Sequence, residues 1–235
     1  MDQVEHEVAL AQPQVVASTV LRLRLPAGAA RPTALLLAPA AGSRSDESVL
    51  VALARGLTAR GVAVGTFDFA YRRAGRRMPD RVDRLERAFR DVAAAFGSLA
   101  PTSRIVLGGR SMGGRIASRL AANGAGDGVL ALAYPLWPQG QGPDPRRTAH
   151  WPAITVPVLF VHGDRDRLCP VGALESDRAT YLRSAASQVH VVSGADHGFG
   201  VRARGMRSVA DVHAEIVATI DRWLAVTFDQ KDTDG

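Results

Sequence analysis

The chain has 235 residues, 46% hydrophobic and 22% charged, with a formal net charge of +6 and one cysteine. That length suits a single α/β domain over 1–235, and one cysteine, Cys169, excludes an internal disulfide framework. No apolar run reaches the ~18 residues of a membrane span, and the start, Met1 to Glu7, is acidic where a secretory leader is basic then apolar, so the cytoplasm is the default compartment.

In chain order, Val15 to Leu25 alternates apolar and polar residues and predicts an antiparallel edge strand. Thr33–Ala38, apolar from Ala34 onward, predicts a buried strand. Asp46 to Arg60 carries Val49, Leu50, Leu53 and Leu57 at helical spacing, with Gly61 as its stop. Val62–Phe67 is the next strand. The dense basic run Arg72-Arg73-Ala74-Gly75-Arg76-Arg77 reads as a solvated loop, with an anion-binding loop beside the site as the sharper alternative. Lys231 is the only lysine, so the positive charge is a general use of arginine. No aromatic interleaving suggests a nucleic-acid platform.

Asp80 to Leu99 is the clearest amphipathic helix: Val82, Leu85, Phe89, Val92 and Phe96 share a face, with Asp80 as the expected cap. Strand 104–108 and helix 112–122 follow. Then come strand 129–133, an irregular Pro- and Gly-rich stretch over 134–156, strand 158–161, helix 170–183, strand 188–192 and helix 206–226. Residues 229–235 are expected to fray. Near-continuous apolar strands alternating with helices imply a mostly parallel sheet covered on both faces.

The joint between strand 104–108 and helix 112–122 reads Gly109-Arg110-Ser111-Met112-Gly113. A Gly-x-Ser-x-Gly turn from strand to helix is strained, and side chains two residues either side of the serine would collide. It lifts the serine hydroxyl off the sheet at a helix N-terminus, where the Met112 N–H can face a developing oxyanion. A serine nucleophile needs a base, and the base needs an orienting group. In parallel sheets such groups collect at strand C-termini. The strand ending at Val161 leads into His162-Gly163-Asp164-Arg165-Asp166. The strand ending at Val192 leads into Ser193-Gly194-Ala195-Asp196-His197-Gly198-Phe199. The expected catalytic set is therefore Ser111, Asp166 and His197.

The competing residues have plainer expected roles. Asp164 caps its own turn, Asp196 holds its loop, and His162 is a packed turn residue. His190 and His213 are structural or solvated, and Cys169 is a small buried residue. No His, Asp and Cys spacing suggests a metal site, and no cofactor is implied. A second oxyanion donor is expected in the loop Ala38-Pro39-Ala40-Ala41-Gly42-Ser43: the N–H of Ala41, with Ala40 as the alternative. Tyr71, Trp137, Trp151 and Phe199 are candidate pocket walls.

With these motifs in place, the chain resembles α/β-hydrolase fold serine hydrolases over essentially its whole length. The runs Leu-Leu-Leu-Ala-Pro-Ala-Ala-Gly-Ser (35–43), Phe-Asp-Phe-Ala-Tyr-Arg (67–72), Gly-Gly-Arg-Ser-Met-Gly-Gly-Arg (108–115), Ala-Tyr-Pro-Leu (133–136) and Val-His-Gly-Asp-Arg-Asp (161–166) resemble small bacterial members, the dienelactone-hydrolase-like proteins among them. Dienelactone hydrolases proper use cysteine where this chain has Ser111. The first loop of the family often reads His-Gly where this chain has Pro39-Ala40. The resemblance implies a carboxylesterase acting on small soluble acyl esters, as a monomer or homodimer. Thioesterase or peptidase action through the same residues, and a non-catalytic interaction protein on the same fold, are the alternatives. The short 134–156 insert implies little or no lid.

Overall fold

The computed structural model describes residues 3–138, 141–184, 186–202 and 207–229. Its centre is an eight-stranded sheet in the order β1-β2-β4-β3-β5-β6-β7-β8. The strands are β1 (Gln3–Ala9), β2 (Ser18–Arg24), β3 (Thr33–Ala38), β4 (Val64–Phe67), β5 (Arg104–Arg110), β6 (Gly128–Leu132), β7 (Val158–Gly163) and β8 (Ser187–Val192). Only β2 runs against its neighbours; every pairing from β4 to β8 is parallel.

The central strands are mostly apolar and buried because both faces are covered. In β3, Ala34, Leu36 and Ala38 enter the core on one side, and Leu35 and Leu37 enter the core on the other. The first side is closed by α3 (Val82–Leu99) and α4 (Met112–Ala122). The second is closed by α1 (Ser48–Thr58) and α6 (Val209–Leu224). A parallel sheet with helices on both faces places its loop chemistry at the strand C-termini.

Several expectations change. β2 is not the edge strand: β1 pairs outside it, from Gln3 opposite Arg24 to Ala9 opposite Ser18. The β1 sequence, Gln-Val-Glu-His-Glu-Val-Ala, is mostly exposed and has little apolar signal to read. Asp80 does not cap α3, which starts at Val82; it accepts a hydrogen bond from Arg76 at 2.8 Å instead. A four-residue helix, α2 (Ala70–Arg73), takes up the first two arginines of the basic run. Asp229 is anchored, accepting from Arg31 Nε at 2.5 Å and Thr33 Oγ1 at 2.8 Å. The remainder of the expected tail, 230–235, and position 206 of the expected last helix lie outside the described residues. The described α6 begins after a capping box between Ser208 and Asp211.

The β6–β7 connection holds two 3₁₀ turns, Pro145–Arg147 and Trp151–Ala153, and α5 (Val171–Tyr181) follows β7. No α-helix is present in the described part of that connection, so it forms no multi-helix lid. No helix among the described residues is long and apolar enough to cross a membrane.

The connection is instead pinned to the core by Trp151. Its ring is fully buried, 5.3 Å from both Tyr134 and Phe160, and its Nε1–H donates to Tyr134 Oη at 3.2 Å. Truncating it leaves a large cavity and removes that hydrogen bond. Trp151→Ala is expected to lower folding stability by about 3–5 kcal/mol in urea titration; a loss below about 1 kcal/mol would show that the loop does not depend on this anchor.

Candidate active site

β5 ends at Arg110 and α4 begins at Met112, so Ser111 alone makes the turn. Its backbone sits at φ 52° and ψ −111°, a strained region for a residue with a Cβ. The N–H of Ser111 donates to Leu132 O at 2.8 Å, and its carbonyl accepts from Arg115 N at 3.0 Å. The flanking glycines press on the end of β3. A Cβ at Gly109, and equally one at Gly113, would lie 2.2 Å from the Ala38 carbonyl oxygen.

Gly163 does the same on the other side of the site. A Cβ there would fall 2.3 Å from Ala195 O, so the loop after β7 touches the loop after β8 backbone to backbone. Asp166 comes from the first loop and His197 from the second. His197 Nδ1 is 2.7 Å from Asp166 Oδ2, and its Nε2 is 3.0 Å from Ser111 Oγ. The Asp166 side chain is fully enclosed and that of His197 is 24% exposed. This geometry can pass a proton from hydroxyl to imidazole, with the carboxylate fixing the ring.

Neighbouring groups hold the carboxylate. Asp166 Oδ1 accepts from the Leu168 N–H at 2.8 Å. His162, buried beneath it, donates from Nε2 to Cys169 O at 2.6 Å and lies 3.4 Å from Asp166 Oδ2. Burial holds the His162 pKa down, which favours the neutral ring. Asp196 Oδ1 accepts from the N–H groups of Gly198 and Gly200. Asp164 differs from expectation: it does not cap its own turn but accepts from Gly194 N at 2.8 Å, stitching the two loops together. His190 pairs with Glu215 at 2.7 Å. The Cys169 thiol is buried and pushed up to about 12, so it holds its proton at neutral pH.

The loop after β3 carries the other expected donors. The Ala40 N–H donates to Glu47 Oε1 at 2.8 Å and the Gly42 N–H to Tyr71 Oη at 2.9 Å. The Ala41 N–H between them has no partner among the described residues. Glu47 also pairs with the Arg110 guanidinium, which reaches the His197 carbonyl at 3.4 Å. Sequence reasoning missed this clasp. Its partners are 63 residues apart, and only the arginine stands inside a recognisable motif.

A cavity of about 380 Å³ opens over Ser111, with Ala40, Ala41, Met112, Trp137 and His197 in its wall. Tyr71, Trp151 and Phe199 do not line it; each is fully buried in the core. Tyr71 braces the β3–α1 loop, Trp151 anchors the β6–β7 loop, and Phe199 packs into the core on the α1 and α6 side. None of the arginines between 72 and 77 reaches the cavity; Asp80, just beyond them, does. Among the described residues, no group of three or more His, Cys, Asp and Glu is placed to hold a metal ion.

A family model described as an alpha/beta hydrolase domain matches residues 31–225. Solved structures share the fold at low identity. A serine hydrolase homologue from Coxiella burnetii is 20% identical with a TM-score of 0.74, covering 96% of this chain and 99% of that one. A serine hydrolase described as lacking a lid, from Xanthomonas campestris, is 20% identical with a TM-score of 0.71, covering 95% of each chain. A dienelactone hydrolase from Anabaena variabilis is 18% identical with a TM-score of 0.72, covering 97% and 99%. No curated protein is a significant match.

A second serine and histidine meet between α4 and the β6–β7 connection. His150 Nε2 lies 2.7 Å from Ser118 Oγ, and His150 Nδ1 is buried with no partner among the described residues. Burial, then Arg119 and Arg115, lower the His150 pKa to about 3. Its folded value therefore lies below its unfolded one. Between these values the unfolded chain binds a proton that the folded chain refuses, so stability is full above the unfolded value and falls as pH drops. Stability should decline below about pH 6.5 by up to about 1.4 kcal/mol per unit from this group. His162 and His213, also lowered by burial, add to the decline with the same sign. Urea titrations across pH 7 to 4 should show a shallower decline in His150→Gln; an unchanged slope would mean that His150 is not the group titrating.

Proposed function

The chain belongs to the alpha/beta hydrolase family, and from that membership we propose that it is a carboxylesterase acting on small acyl esters through Ser111, His197 and Asp166. One observation carries the reading: the His197 ring bridges Ser111 Oγ at 3.0 Å and Asp166 Oδ2 at 2.7 Å with its two different nitrogens.

In the proposed reaction His197 Nε2 takes the Ser111 proton as Oγ attacks the ester carbonyl carbon. The carbonyl oxygen becomes an oxyanion facing the N–H groups of Met112 and Ala41. Ala41 is the better second donor than Ala40, because Glu47 already occupies the Ala40 N–H. His197 then gives its proton to the leaving alkoxide, the ester C–O bond breaks, and an acyl-serine remains. Water attacks the acyl-serine, with His197 taking its proton and returning it to Ser111 Oγ as the acid departs. Asp166 holds the ring in place and stabilises the imidazolium. The net change is ester plus water to acid plus alcohol.

The absence of a multi-helix lid and the modest cavity support small acyl groups over long lipid chains. A fluorophosphonate probe should label the wild-type protein and leave Ser111→Ala unlabelled. Asp166→Asn should lower kcat on para-nitrophenyl butyrate by about 10⁴-fold, because it removes the group that fixes the ring tautomer. Equal labelling of wild type and Ser111→Ala would sink the proposal.

A further inference from the structure

The cavity over Ser111 has an unusual flank. Arg115, one turn into α4, and Arg147, from the 3₁₀ turn of the β6–β7 connection, both line it. A second hollow continues outward from the same two residues to Arg119, Arg146 and Asp144. Glu86 and Asp144 are already engaged. Arg119 pairs with Glu86, while Arg146 and Arg147 share Asp144 at 2.8 and 3.6 Å. Asp80, also in the cavity wall, accepts from Arg76 through Oδ1 at 2.8 Å, and its Oδ2 is buried without a partner among the described residues.

Arg115 is left over. No described residue accepts a hydrogen bond from its side chain or pairs with it, and its Nε is buried without a partner. Arg115 is half-buried, and a guanidinium retains its charge at any ordinary pH, so burying part of it without a paired carboxylate is costly. Burial first, then Arg147, lowers its pKa, and Asp144, acting at a distance, offsets this only in part. A planar fork of donors beside the reacting serine is suited to a carboxylate, which it can bind through two hydrogen bonds.

We propose that Arg115, supported by Arg147, forms an anion subsite in the wall of the Ser111 cavity, and that the substrate is an ester carrying a second, free carboxylate. This deepens the esterase reading and rests on it for the identity of the reaction. The binding site itself requires no chemistry at Ser111.

Two matched substrate pairs test the proposal. One is mono-para-nitrophenyl adipate against its methyl ester, with the charge on the acyl side. The other is para-acetoxybenzoate against its methyl ester, with the charge on the leaving group. In at least one pair the free acid should be favoured in kcat/KM by about tenfold or more, the effect of one net charge-assisted contact. Arg115→Gln should abolish that ratio, and Arg115→Lys should keep part of it, because a charge without the fork remains. A ratio is insensitive to a general loss of folded enzyme. No preference in either pair, or a preference that survives Arg115→Gln, overturns the proposal.

Calorimetric titration of adipate into Ser111→Ala separates the two readings. Adipate binding that disappears in the Ser111→Ala, Arg115→Gln double variant supports the subsite, even if no ester is turned over and the esterase reading fails. Turnover of neutral esters with no adipate binding and no acid preference removes the subsite and leaves the esterase reading intact. Arg115-dependent binding of inorganic phosphate without adipate binding overturns the carboxylate assignment in favour of a phosphoryl group.

Discussion

The arrangement around Ser111 depends on one close backbone contact. Gly109 and Gly113 both lie against the carbonyl oxygen of Ala38, where a Cβ would intrude to 2.2 Å. That contact joins the end of β5, the start of α4 and the end of β3. It brings the Met112 amide, on the serine side, near the loop that carries the Ala41 amide. Gly163 against Ala195 O, at 2.3 Å for the same hypothetical Cβ, does the equivalent for the loops carrying Asp166 and His197. Neighbouring parallel strands end side by side, but their loops meet only where side chains are removed from between them. Glycine is used here for close approach more than for turning freedom.

Once the loops are in contact, polar groups fix their details. Glu47 accepts the Ala40 amide and pairs with Arg110, and Arg110 reaches back to the His197 carbonyl. One carboxylate thus links the loop after β3, the residue before Ser111 and the loop after β8. Both members of this pair are largely buried, at 15% and 12% side-chain exposure. Removing either would leave the other charge desolvated, which costs far more than an exposed pair contributes. His162 and Asp164 work similarly without a full ion pair, one under Asp166 and the other across to Gly194.

What could be read from the sequence divides along physical lines. Strand β3 and helix α4 match the expected Thr33–Ala38 and 112–122, because burial on both faces, or on one helical stripe, writes itself into composition. The Ser, Asp and His positions were legible because each follows a strand in a sheet whose chemistry collects at one end. β1 was missed because an exposed edge strand needs little apolar residue. The three misplaced aromatics failed for another reason. Tyr71, Trp151 and Phe199 all lie in connections that follow strands, but spacing does not say which way a ring turns in a single helical turn or a loop. Phe199 sits at φ 61°, a conformation that no periodicity argument anticipates. The Glu47–Arg110 clasp and the unpaired Arg115 were illegible because charge pairing between distant segments leaves no local pattern.

These corrections bear on how such an open site would select a substrate. With Tyr71, Trp151 and Phe199 withdrawn into the core, Trp137 is the only aromatic residue among the described lining residues of the cavity. A pocket of about 380 Å³ without a multi-helix lid can surround only a small apolar group. At about 0.8 kcal/mol per buried CH₂ group, acyl chains differing by one carbon would be separated only weakly. In the proposed subsite a half-buried guanidinium separates ligands more sharply, because a ligand lacking the counter-charge leaves Arg115 in its present unpaired state. The buried aromatics and the half-buried Arg115 are therefore complementary features. The rings brace loops beside the proposed reacting groups, and in the proposed subsite discrimination falls to the charge left without a partner.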